Sequence, residues 1–119
     1  MIFPMTRSRF LYLLALGWTI IIFIGCSLPG SGIPDPHGRD KWLHAIIFFL
    51  YGLLWRLAGR SVAWVLLTGF AYGYLIEVWQ GLTNAFLERD YDIYDFWADA
   101  AGTVVGVLVA VVLVKVVKL

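Results

Sequence analysis

The sequence predicts an all-α membrane protein, a compact bundle of four transmembrane helices with both termini on the cytoplasmic side. Three observations carry that prediction. Of 119 residues, 61% are apolar and 14% are charged, against about 25% charged in ordinary soluble domains, and the mean hydropathy is +0.83. Four apolar stretches approach the roughly 17–25 residues that a helical crossing needs. The segments between them alternate between purely basic and mixed charge. The composition fits one domain spanning residues 1–119. A net charge of +1 gives no reason to expect a nucleic-acid partner. The lone Cys26 excludes an internal disulfide framework and a multi-cysteine metal site.

The first stretch runs from about Phe10 to Leu28, after Arg7 and Arg9, and ends in "IGCSLPG". It reads as a retained signal-anchor helix. Phe23 suits a lipoprotein cleavage site poorly, three residues before Cys26, and three further crossings make a lipid anchor redundant. The loop "LPGSGIPDPHGRD" is rich in Pro and Gly and therefore irregular. The second stretch, Trp42 to Leu57, is at the short end for a crossing, with Lys41 snorkelling at its mouth and Asp40 as its N-cap. A turn around Gly59 leads to the third, Val62 to Gly81. The fourth runs from Ile93 to Val114, with Asp92 as its N-cap and Asp95 in its first turn. No period-two alternation runs through these stretches. Lipid offers the backbone no hydrogen bonds, so helices are expected.

The connections set the orientation. Arg7 and Arg9, then Arg56 and Arg60, then Lys115 and Lys118 lie in three segments that hold no Asp or Glu. The positive-inside rule puts these in the cytoplasm. The other two connections, with Asp35, Arg39, Asp40 and Lys41, then Glu88, Arg89, Asp90 and Asp92, face outward. A bacterial cytoplasmic membrane location follows as the expectation.

The polar residues inside the apolar stretches gather at one depth. His44 is about a turn inside the second helix, Glu77 about a turn inside the outer end of the third, and Gln80 at its mouth. Asp92, Asp95 and Asp99 share one face of the fourth by their spacing of three and four, and Asp99 lies roughly 10 Å below Asp92. An ionised side chain facing lipid mid-helix costs about 2.5–3.5 kcal/mol on insertion scales. Glu77, Asp95 and Asp99 are therefore expected to turn inward around a shared polar pocket, with Arg89 as counter-ion to Asp95 or Glu77. Two alternatives stand beside this: His44 bonded simply to Asp40 four residues earlier on its own helix, and, separately, a structural polar cluster that orients the helices. Gly69 with Gly73, and Gly102 with Gly106, are expected to bring the third and fourth helices close. Trp42, Trp79, Tyr91 and Tyr94, and at the other boundary Trp55 and Trp64, read as an aromatic belt.

Asp40, Lys41 and His44 head one helix. Glu77 and Gln80 end the next, and Arg89, Asp95, Asp99 and Gly102 follow at spacings of six, four and three. This order, with the preceding "SLPGSGIP", resembles the VanZ-like family of small bacterial membrane proteins over roughly Ser27 to Gly106. The resemblance implies a four-helix membrane protein; the family's namesake is associated with resistance to the glycopeptide teicoplanin. Many members have Asn where this chain has Asp99, which adds a possible charge to the pocket.

Three function classes remain. The first is an enzyme acting on a lipid headgroup or lipid-linked cell-wall intermediate, with His44, Glu77, Asp95 and Asp99 as catalytic candidates. Lys41, Gln80 and Arg89 would then bind substrate, and Asp40, Asp92 and Gly102 would be structural. No serine or cysteine nucleophile is expected near this set. No cofactor is expected either, although His44, Glu77 and Asp99 could hold a divalent metal. The second class is a non-catalytic protein that binds an envelope lipid or alters antibiotic access. The third is a small transporter, opposed by the lack of polar groups in the inner half.

Overall fold

The computed structural model describes residues 6–28, 39–83 and 93–117. Their regular structure is entirely helical: α1 (Arg7–Cys26), α2 (Arg39–Leu57), α3 (Val62–Leu82) and α4 (Ile93–Val117). The helices reach past the apolar runs that announce them. α1 begins at Arg7 rather than Phe10, and α4 continues to Val117 rather than Val114, because flanking charged residues lower hydropathy without opposing helix formation. Thr6 caps α1 by accepting a bond from the Arg9 amide at 3.1 Å, and Ser61 caps α3 from the Trp64 amide at 3.1 Å. α2 begins at Arg39, so Asp40 lies within the helix and not at its N-cap.

The turn between α2 and α3 is a Schellman motif. Arg60 N donates to Trp55 O at 3.2 Å and Gly59 N to Arg56 O at 3.1 Å. Gly59 carries φ +106, a left-handed conformation that a Cβ would strain.

α1, α3 and α4 are each long and apolar enough to cross a membrane. α2, which includes Arg39, Asp40, Lys41 and Arg56, falls outside that set. The surface is inverted relative to a soluble domain. Ile20, Ile24, Leu67, Leu75 and Leu108 are exposed, while His44, Glu77, Gln80, Asp99 and Thr103 are buried. Polar side chains are rarely buried where apolar ones stay outside, and with three apolar helices this pattern marks a membrane protein.

Consecutive helices run in opposite directions, so the bundle has two ends. The acidic end joins the starts of α2 and α4 to the finishes of α1 and α3. The arginine end carries Arg7, Arg56 and Arg60. α2 is central: it touches every other helix and packs most extensively against α4. The reason is glycine, and it corrects one expectation. Gly102 and Gly106 do not face α3. A Cβ on Gly102 would collide with the Ala45 carbonyl oxygen, and one on Gly106 with that of Phe49, so both lie against the α2 backbone. Gly69 and Gly73 do face α4, against Thr103 and Asp99. The two glycine pairs thus serve two interfaces, and small residues let both backbones approach closely.

Hydroxyls and indoles bind the middle of the bundle. Trp55 Nε1 donates to Thr19 Oγ1 at 2.9 Å, Tyr72 Oη to the Thr19 carbonyl at 2.5 Å, and Tyr51 Oη to Thr68 Oγ1 at 2.9 Å. Trp55 is buried. It is a core residue and not part of an aromatic belt, because its indole has a partner only inside the bundle. At the arginine end, Arg60 lies over the Tyr12 ring at 5.7 Å and the Trp64 ring at 5.2 Å.

Candidate functional site

Three helices bring their polar side chains to the acidic end. α2 contributes Lys41 and His44, spaced three apart and thus on one face. α3 contributes Glu77, and α4 contributes Asp95 and Asp99, spaced by one turn. His44, Glu77, Asp95 and Asp99 are all buried, Glu77 and Asp99 completely at 0% exposure. Gly73 makes room for Asp99, since a Cβ on Gly73 would stand 2.9 Å from that of Asp99. One glycine position on α3 therefore determines how deeply the α4 carboxylate can seat.

The imidazole is the centre of the arrangement. His44 Nδ1 lies 2.7 Å from Asp99 Oδ1, and Nε2 lies 3.6 Å from Asp95 Oδ2. Each ring nitrogen faces a different carboxylate of α4, one turn apart. The bond to Asp99 spans the bundle, so a purely local partnership with Asp40 does not account for His44. Lys41 Nζ lies 2.7 Å from Asp95 Oδ1, which makes Asp95 a bridge between the half-exposed ammonium and the buried imidazole. Hydrogen bonds involving charged groups are short and stronger than neutral ones. A histidine flanked in this way can take a proton at one nitrogen and release one at the other.

His44, Glu77 and Asp99 also stand close enough together to share a metal ion. Each offers one ligand atom, and these atoms lie within 4.8 Å of one another. An imidazole and two carboxylates suit Zn²⁺ or Mn²⁺.

The other expected site residues are distributed differently. Gln80 is buried, and its Nε2 donates to the Cys26 carbonyl at 3.0 Å, which ties α3 to the end of α1. Gly102 packs against α2, as described above. Arg89 and Asp92 lie outside the described residues, as does the side chain of Asp40. The part played by α1 was not legible from charge, because beyond Arg7 and Arg9 at its start it carries no ionised side chain. Trp18 Nε1 donates to the Ile47 carbonyl at 2.8 Å and Trp79 Nε1 to Ser27 Oγ at 2.9 Å. An indole within an apolar run was the available signal, since a buried N–H must find an acceptor.

Towards the arginine end from this cluster, the core is filled by Phe48, Val65, Ile76, Val107 and Ala110. Among the described residues, every buried ionisable side chain other than the phenol of Tyr51 belongs to the acidic end. No protein-family model, no curated protein and no solved structure matches the chain.

Proposed function

We propose that this chain is a VanZ-like protein of the bacterial cytoplasmic membrane that acts on a lipid headgroup or lipid-linked cell-wall intermediate. The single observation that carries the reading is the buried His44 with a carboxylate opposite each ring nitrogen, beside Glu77 and within reach of Lys41. In this reading His44 moves the proton and Asp99 orients the imidazole. Glu77 is the second acid–base group, Asp95 positions Lys41 and faces His44 Nε2, and the Lys41 ammonium receives the anionic part of the substrate. The order of Asp40, Lys41, His44, Glu77, Gln80, Arg89, Asp95, Asp99 and Gly102 supports the family assignment.

Four crossings belong to this proposal. α2 has 19 residues, about 28 Å at 1.5 Å per residue, close to the ~30 Å of a hydrocarbon core. Its packing against all three apolar helices supports a fourth span. The basic segments support termini and an Arg56–Arg60 turn on the cytoplasmic side, so the acidic end opens outward. A transporter is the weaker reading, because the buried core beyond the cluster is apolar or neutral.

The experiment compares the envelope lipids of cells that lack the protein, carry it, or carry Glu77→Gln or Asp99→Asn at equal expression. The expected result is a lipid species whose level changes on deletion, returns with the native chain, and does not return with either variant. Full restoration by both variants would remove the acid–base claim and leave a non-catalytic lipid-binding protein. A metal-assisted version is favoured by the approach of His44, Glu77 and Asp99. It requires a stoichiometric divalent ion in elemental analysis of the purified protein, lost on Glu77→Gln.

A further inference from the structure

A cleft of about 210 Å³ lies between α1 and α2, lined by Trp18, Ile21, Ile22, Gly25, Cys26, Leu43, His44 and Ile47. Exposure separates its rim from its base. Ile21, Gly25 and Leu43 are exposed, whereas Ile22, Cys26 and His44 are buried. The Trp18–Ile47 bond joins the two helices across it. Its base includes the same imidazole that meets Asp99, so the cleft runs from the apolar flank of the bundle to the polar cluster.

We infer that this cleft seats an acyl chain of a bilayer phospholipid, with the headgroup turned towards Lys41 and His44. The inference rests on the lipid-substrate reading for its polar end and on separate observations for its apolar one. The rim is apolar, and so are the neighbouring exposed side chains Ile20, Ile24, Trp42 and Ile46, so a membrane surrounds it with hydrocarbon and not with water. A chain entering from that side leaves one apolar medium for another. Its affinity therefore comes from close contact and from the charged end. Lys41 supplies the charge complementarity: it lies one helical turn from His44 at the cleft's base, its ammonium is 38% exposed while bound to Asp95, and a cation there suits a phosphate. α1 is the helix best suited to border such a cleft, because it packs less extensively on the rest of the bundle than any other helix does.

Gly25 allows a direct test, since a Cβ there meets nothing within 4 Å. The protein is reconstituted in vesicles of phosphatidylethanolamine and phosphatidylglycerol that contain a trace of phospholipid with a diazirine in mid-chain. After irradiation, adducts are mapped by mass spectrometry. Adducts should concentrate on Ile21, Leu43 and Ile47 relative to Leu67 and Leu75, which are exposed on α3. Gly25→Phe should lower cleft adducts about tenfold, equivalent to ~1.4 kcal/mol, and leave those on α3 unchanged. If that variant does not fold, Ile21→Trp at the exposed rim serves as the second block. Equal labelling of all helices, or cleft labelling indifferent to the block, overturns the inference. Labelling is read without turnover. A cleft that labels while Glu77→Gln restores the lipid profile would sink the acid–base reading alone, and the reverse result would sink the cleft alone.

Discussion

At the acidic end, His44, Glu77, Asp95 and Asp99 are buried together within three helices. In the middle of the same bundle, Trp55, Tyr51 and Tyr72 join helices through the neutral side chains of Thr19 and Thr68 and the backbone carbonyl of Thr19. Both regions satisfy polar groups away from water, yet they do so at different cost. Neutral bonds between membrane helices contribute about 0.6 kcal/mol each on average and carry little desolvation penalty. Buried charges lose several kcal/mol of hydration per ion, and their mutual attraction offsets this only with good geometry. The middle layer demonstrates that this chain can associate its helices without ionised groups. That difference in cost supports the proposal that the acidic end serves chemistry or ligand capture rather than assembly alone.

That contrast makes a ranked set of predictions. The largest effect is functional. Glu77→Gln and Asp99→Asn should each lower lipid turnover by about 10²–10⁴, the usual contribution of acid–base catalysis. Unfolding of the detergent-solubilised protein should move little, because the amides keep the shape. If both variants instead lose stability as strongly as function, the charges are structural and the contrast between the regions disappears.

Next comes a structural effect that neither polar region governs. Gly106→Leu drives a side chain into the Phe49 carbonyl and should destabilise the bundle by about 3 kcal/mol. Gly17→Leu, at a position where a Cβ meets nothing within 4 Å, should cost less than a third of that in the same denaturant titration. Equal losses would mean that α2 and α4 do not touch through their backbones.

Smaller effects test the neutral layer. Tyr72→Phe deletes the bond to the Thr19 carbonyl and should cost about 1 kcal/mol, with lipid turnover unchanged. A drop in turnover would join the middle layer to the site. Arg60→Gln removes the cation over Tyr12 and Trp64 and should cost about 0.5 kcal/mol. A loss of several kcal/mol would make the arginine end as critical as the acidic one.

Much of the site was legible because polarity inside an apolar run is expensive. His44, Glu77, Asp95 and Asp99 each stood out against their neighbours, and their shared depth followed from helical rise. Other features carried no such contrast. Trp55 read as a boundary residue because a hydropathy run cannot tell which side of a helix faces a neighbour. Gly102 and Gly106 announced close approach but not the partner, since a missing side chain has no chemistry that selects one. Gln80 looked like part of the mouth, whereas its amide reaches the Cys26 carbonyl on a helix distant in sequence.

Composition and the placement of charge determined, without coordinates, that this chain is helical and apolar and that its acids gather at one depth. Each of those properties follows from a cost paid locally, residue by residue, on leaving water. Only the tertiary structure decided that α2 is the hub, that the glycines of α4 face it, and that His44 stands between Asp95 and Asp99. Those outcomes depend on how helices rotate and cross, and the energies that select a rotation are shared among contacts from several helices at once.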